Sequence, residues 1–328
     1  MLMRIQKFTS RQKKILSYVN RNASATYEQI AKACGTRSHV ARAEVQALIK
    51  AKVITPVIII DPTAIGLTKF NVFFSISPKS AKDRQQFIDY LVSHPNISWV
   101  SELAGEFDFG IVIMARNILD LEDSFRSILS ENHMLIVKKE MVVDYSWTYY
   151  GKGYLIAPEK LPPPIVFKLG AEQFALTSLD RAILKLLAVD AFMSQQEIAD
   201  KTNSPLSTVN NRIKLLSSKG VIVGYVNSLN YSKLNIHAFR LLISYGGISL
   251  PLRGNIFSFA DNHPNIISMT LTLGAWDVEF SLELEDPHQI HKIISDLRGL
   301  SENGFFKSIS LVRFDDLKWC TVAPGMLD

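Results

Sequence analysis

The chain has 328 residues, room for two to four domains, and its 47% hydrophobic and 20% charged content is that of an ordinary folded protein. No apolar run reaches the ~18 residues needed to span a bilayer. The longest candidate, residues 53–60, is strand-sized and interrupted by Pro56, and Met1-Leu2-Met3-Arg4 has no signal-peptide core behind it, so a cytoplasmic location without a membrane partner is expected. Cys34 and Cys320 have neither pair spacing nor a metal-ligand pattern, so no disulfide framework and no metal are expected.

The net charge of +5 is unevenly spread. Residues 1–56 hold 11 Lys and Arg against 2 acids, and residues 57–148 hold 8 against 12. Residues 171–226 hold 6 against 5, and residues 227–328 hold 8 against 11. A polyanion would therefore be met by the two small segments, chiefly the first.

In chain order, residues 1–60 read as helices over 10–22, 26–34 and 37–50, then a strand over 53–60. The third helix would expose Arg37, Ser38, His39, Arg42, Ala43 and Gln46. Cys34-Gly35 falls in the turn, where Cys is a small buried apolar residue. Residues 61–148 read as strand 69–76, helix 81–93 stopped by His94-Pro95-Asn96, strand 97–104, a two-residue turn at Gly105-Glu106, strand 107–115, helix 118–130 and strand 135–143. That order is a ferredoxin-like βαββαβ arrangement, whose open sheet face needs covering. Residues 149–172, with Pro158 and Pro162-Pro163-Pro164, read as a semi-rigid linker.

The pattern then starts again at an offset of 168 residues. Ile15-Leu16 returns as Ile183-Leu184, and Val53-Ile54 as Val221-Ile222. After one inserted residue, His94-Pro95-Asn96-Ile97 returns as His263-Pro264-Asn265-Ile266. A period this long is a domain-sized duplication rather than a solenoid repeat, and it implies a dimer fused into one chain. In residues 173–228, Ser194 and Glu197 have capping-box spacing, and Pro205 suits the first position of a third helix capped by Ser204. That helix buries Val209, Ile213 and Leu216 and leaves Ser207, Thr208, Asn210, Asn211, Arg212 and Lys214 outside. Such side chains pair with base edges and phosphates in a major groove. Where this helix has Arg212, the first has Glu44, an acid that would repel phosphate there. Residues 229–328 repeat the ferredoxin-like order, with strands over 237–245, 266–273, 276–284 and 309–319 and helices over 255–262 and 288–297. The expected fold is thus α+β: two tandem repeats, each a winged helix-turn-helix followed by a ferredoxin-like domain, paired as an intramolecular pseudo-dimer.

Leu179-Asp180-Arg181-Ala182-Ile183-Leu184, Glu197-Ile198-Ala199, Ser207-Thr208-Val209-Asn210-Asn211-Arg212-Ile213 and Gly220-Val221-Ile222-Val223-Gly224-Tyr225 resemble the DNA-binding segment of the Lrp/AsnC family of prokaryotic transcription regulators. The Gly-x-x-Asp turns, Gly105/Asp108 and Gly274/Asp277, resemble that family's effector-domain signature. The resemblance implies double-stranded DNA as partner, self-association through the ferredoxin-like domains, and a small amino-acid effector near Gly105, Glu106, Asp108, Gly274 and Asp277. The chain departs from the family in being tandem, in its degenerate first reader, and in carrying Ala275 where the first turn has Glu106. On this reading there is no catalytic residue and no cofactor.

Two other readings compete. The same paired architecture is similar to siroheme decarboxylases, which would need Arg, His and Tyr aimed into the effector-domain cavity; residues 98–104 and 267–273 hold no His or Arg. His288 and His291 lie three apart with no third ligand, and no nucleophile motif or phosphate loop is present. The remaining reading is an interaction protein that has lost DNA binding and pairs with a relative.

Overall fold

The computed structural model describes residues 9–21, 23, 25–132, 135–155, 163–301 and 307–328. The fold is α+β, and its first unit is three helices: α1 (Ser10–Arg21), α2 (Tyr27–Cys34) and α3 (Ser38–Lys50). Thr26 and Gln29 form a reciprocal capping box on α2, and Gly35, in the left-handed region at φ 65°, ends it. Ile15, Leu16, Val19, Ile30, Cys34, Ala41, Val45 and Leu48 supply the unit's core, so Cys34 packs there as a small apolar side chain. Strand β1 (Ile54–Ile60) leaves it.

The first large segment continues with β2 (Thr68–Ile76), α4 (Ala81–Ser93), β3 (Ile97–Ala104), β4 (Phe109–Ala115), α5 (Ile118–Asn132) and β5 (Ile136–Tyr149). His94 ends α4 as its C-cap, and its ring Nδ1 accepts the Asn96 amide at 3.2 Å. The next stretch is not purely a linker. Residues 165–168 form β6 (Ile165–Lys168), which pairs with the end of β5; Pro158 and Pro162 lie outside the described residues.

The second copy follows as α6 (Ser178–Val189), α7 (Gln195–Thr202), α8 (Leu206–Ser218) and β7 (Ile222–Leu229). A one-turn helix α9 (Tyr231–Leu234) then leads to β8 (His237–Ser244), α10 (Leu250–Asn262), β9 (Ile266–Gly274), β10 (Val278–Leu284), α11 (Gln289–Arg298) and β11 (Lys307–Trp319). The Ser194–Glu197 capping box is present on α7. Pro205, however, is itself the N-cap of α8, with no side-chain cap bond, one place earlier than its spacing suggests.

The two β-rich segments do more than cover each other. Each has the strand order β5-β2-β4-β3 or β11-β8-β10-β9, and the edges join at both seams: β3 pairs with β11, and β9 with β5. The result is a closed eight-stranded antiparallel barrel, which leaves no long sheet edge exposed. Helices α4 and α5 pack outside one half, with Phe87 and Leu91 of α4 against Phe74, Phe109 and Ile111, and α10 and α11 outside the other, with Ile256 and Ile293 against Phe280. Inside, one end is filled by Phe73, Leu103, Phe107, Leu242, Trp276 and Leu311. Phe73 meets Trp276 edge-on at 5.1 Å.

The strand that follows each helix-turn-helix pairs with its counterpart: β1 and β7 form an antiparallel ribbon, with Val57 opposite Val226. The end of β1 (Ile58, Ile60) packs into the core of α6–α8, and Leu229 at the end of β7 packs into that of α1–α3. Each small unit is thereby completed by the other copy's strand. Among the described residues, no helix is long and apolar enough to cross a membrane.

Candidate nucleic-acid interface and barrel cavity

Helix α3 exposes Arg37, His39, Arg42, Ala43 and Gln46, all on solvent. Arg42 lies over the Tyr27 ring at 5.9 Å, and Ser38, partly buried, donates to Glu28 Oε1 at 3.2 Å. Helix α8 exposes Ser207, Thr208, Asn211 and Lys214, one face at helical spacing. Asn210 is only partly exposed, and its Oδ1 is buried without a hydrogen-bond partner.

Arg212 is not on that face. Its Nε and Nη2 donate to both carboxylate oxygens of Asp180 at 2.7 and 2.5 Å, and Asp180 is fully buried at the start of α6. A bidentate guanidinium–carboxylate pair of this kind fixes α6 against α8 and leaves no fork for a base. Burial pushes the Asp180 carboxyl up, but the bonds from Arg212 and Thr177 outweigh it and hold the group below its ordinary value. The same position in the first unit explains Glu44. Gln12, which corresponds to Asp180, donates to Glu44 Oε2 at 3.0 Å. The α1–α3 bridge is the α6–α8 bridge rewritten, and Glu44 faces a neighbouring helix rather than phosphate.

The Gly-x-x-Asp turns are used by the barrel itself. The hairpin loop runs over four residues, 105–108, rather than two, with Leu103 N bonded to Asp108 O at 2.8 Å. Gly105 and Gly274 have φ of 136° and 139°, and each touches the opposite half's strand. A Cβ on Gly274 would stand 2.7 Å from Met141 O, and one on Gly105 3.1 Å from Ser310 O. Asp108 accepts the Ile76 amide at 2.7 Å, and Asp277 accepts Tyr245 N at 2.7 Å and Gly246 N at 3.1 Å. Glu106 pairs with Lys138 and lies 3.6 Å from Lys307, contacts that hold it below the ordinary carboxylate range. The five residues expected to hold an effector thus also shape the seams of the barrel, with Gly105, Glu106 and Gly274 exposed.

The polar interior of the other barrel end was not anticipated from the sequence. There a cavity of about 190 Å³ lies between the barrel and the β1–β7 ribbon. Lys69 lies 3.1 Å from Asp144, Arg240 pairs with Glu279, and Lys152 pairs with Glu283. Arg313 donates to Tyr231 OH at 2.5 Å and lies 3.7 Å from Asp316, which accepts from Trp99 Nε1 at 2.7 Å. Arg240 stacks 4.5 Å over Trp99, and Lys69 lies 4.4 Å over Trp147. Burial drives the Asp144 and Glu279 carboxyls up and the Lys152 ammonium down, each against the pull of its partner. The two copies differ here: at the inward positions of β10 stand Glu279, Ser281 and Glu283, where β4 has Gly110, Val112 and Met114. The strict alternation of Val278 to Leu284 was the available signal, but such a pattern reads equally as one face in water.

The description of winged helix-turn-helix DNA-binding domains matches residues 176–223. A protein named as an uncharacterised HTH-type transcriptional regulator of Pyrococcus furiosus is 49% identical over 59 residues, 18% of this chain and 40% of that one. The chain thus spans well under two thirds of that relative. A second such regulator, of Pyrococcus abyssi, is 27% identical over 145 residues, 44% of this chain and 95% of that one. Among solved structures, the siroheme decarboxylase NirDL, in complex with an iron-uroporphyrin III analogue, superposes with a TM-score of 0.59 at 11% identity, covering 97% of this chain and 96% of that one. At that identity the likeness is one of fold. Together these findings define an α+β chain with a helix-turn-helix segment of the DNA-binding kind and relatives named as transcriptional regulators.

Proposed function

We propose that this chain is a sequence-specific DNA-binding transcription regulator of the Lrp/AsnC type, acting as a pseudo-dimer and without enzymatic activity. The observation that carries the reading is the pair of helix-turn-helix units locked together through the β1–β7 ribbon, each with a polar third-helix face on solvent. Two readers in fixed relation suit two half-sites. They are chemically unlike: α8 offers Ser207, Thr208 and Asn211 for base edges, and α3 offers Arg37 and Arg42 in a strongly basic unit for phosphate. The operator is accordingly asymmetric or an imperfect palindrome. Asn211→Ala is expected to weaken specific binding by about 1–3 kcal/mol, read by fluorescence anisotropy on the selected site. Unchanged affinity would remove α8 as the reader.

The decarboxylase reading is favoured by one observation, the fold shared across the whole chain with NirDL. Arg240, Arg313 and Tyr231 do line the cavity, but among the described residues no His does, and the four carboxylates beside them match the cations in number. A volume of about 190 Å³ falls below the ~300–1,000 Å³ of common ligand pockets. Titration with iron-uroporphyrin followed in the Soret band tests it: a saturating one-to-one shift would favour the enzyme.

A further inference from the structure

We propose that the segments following β5 and β11 are straps that tie each helix-turn-helix unit to the barrel, and that these ties set the half-site spacing the chain accepts. The inference rests on the regulator reading above and names what fixes its two readers in space.

The duplicated His-Pro-Asn corners do more than stop α4 and α10. Gly325 N donates to Pro95 O at 2.9 Å, and Tyr154 N donates to Pro264 O at 3.0 Å. Each corner thus receives an amide from the segment that leaves the last strand of the other half. Residues 320–328, after β11, meet the first half, and residues 150–155, after β5, meet the second. The approach is close: a Cβ on Gly325 would stand 2.7 Å from Asn96 Oδ1 and 2.8 Å from Pro95 Cβ. Any side chain there forces a shift.

The other face of each strap enters the core of a reader. Met326 and Leu327 are buried in one cluster with Ile183, Leu184 and Leu187 of α6. Tyr154 and Leu155 pack against the core of α1–α3. A two-stranded ribbon is by itself a weak joint. A segment seated in a reader on one side and bonded to the barrel on the other removes the bending and twisting that such a joint permits. For two readers joined in one molecule, that geometry decides which half-site spacing both can reach.

The two ties are held by unlike chemistry. Lys152 and Tyr154 of the first strap both donate to the buried Glu283 carboxylate of β10. Where β10 has Glu283, β4 has Met114, whose Sδ accepts Ala323 N of the second strap at 3.3 Å. The second strap is held further by Arg116, which donates to Met326 O at 3.1 Å, and by Lys185 paired with Asp328. Each tie can therefore be loosened without touching the other.

Hydrogen–deuterium exchange of the full chain, without DNA, reads the ties directly. Gly325→Val should speed exchange of the α6 amides about tenfold and leave α1 at wild-type rates, and Tyr154→Phe should speed α1 and leave α6. Should Gly325→Val fail to fold, Gly325→Ala places a single methyl at the same contact and should give a smaller rise in α6. Unchanged rates in α6, or a rise spread evenly over both units, would overturn the ties. The spacing is read on the selected operator with two base pairs inserted between its half-sites, which turns one half-site by about 70° around the helix axis. Wild type should bind the lengthened site about tenfold more weakly than the original, and both variants should show a smaller ratio. A strap that only stabilised the fold would weaken both sites alike, so an unchanged ratio would overturn the role in spacing. If no operator is selected, the regulator reading falls and the spacing role with it, while the exchange rates still decide the ties.

Discussion

At the scale of single residues, Arg212 shows how a side chain can look like a reader and be a brace. Its spacing along α8 puts it beside Asn211, yet its guanidinium is spent on Asp180. Removing one partner of such a pair leaves a buried carboxylate unmatched, so Arg212→Ala should cost about 3 kcal/mol of stability. Urea denaturation followed by circular dichroism checks this, and any loss of DNA affinity should track unfolding rather than sequence. The pair also sets a pH dependence. The folded Asp180 carboxyl lies below its ordinary value, so its contribution is complete above pH ~4 and is lost as pH falls through the folded value. The melting temperature of the wild type should therefore fall more steeply below pH ~4 than that of Asp180→Asn. Parallel curves would contradict the assignment. In the first unit the bond from Gln12 holds the Glu44 carboxylate against α1, so Glu44→Gln should strengthen DNA binding only slightly in the same anisotropy titration.

At the scale of elements, helices and hairpins were legible because their signals are local. The 3.6-residue stripe of Ile183, Leu184 and Leu187, the capping pair Ser194–Glu197 and the stop at His94-Pro95-Asn96 all lie within a few residues of what they specify. The glycines of the turns were legible as glycines but not as to cause. Gly105 and Gly274 serve a seam between strands far apart in sequence, β3 with β11 and β9 with β5. Gly274→Ala should therefore destabilise by about 1–3 kcal/mol, and more than Gly105→Ala, because its Cβ would meet Met141 O at 2.7 Å. Thermal melting of both variants decides the order. Inward and outward polar faces were not legible. Glu279, Ser281 and Glu283 alternate with apolar residues as any half-exposed strand does, and only closure of the barrel turns that face inward. Strand β6 was hidden for a related reason: four residues in a proline-rich stretch carry no period, and their pairing partner supplies the order.

At the scale of the whole molecule, the two halves share one architecture and differ in chemistry. The barrel needs both halves, but the cavity's carboxylates are shared unequally, Asp144 from the first and Glu279, Glu283 and Asp316 from the second. The small units diverge in parallel. The first holds most of the positive charge, and the second presents the more varied hydrogen-bonding face. If phosphate contact is concentrated in the first unit, replacing Arg37 and Arg42 together by Gln should flatten the dependence of log affinity on log salt by close to two contacts' worth, about 0.9 per phosphate. Base selectivity should remain with α8. An unaltered slope would show that the basic face of α3 does not meet DNA.

Recognition of DNA by sequence through two unlike readers on one chain is tested most directly by selecting binders from a pool of genomic fragments against shuffled competitor and titrating the recovered site by fluorescence anisotropy at two salt concentrations. A selected, asymmetric site bound with a steep salt slope is expected. Weak binding without selection, or none at either salt, would contradict it.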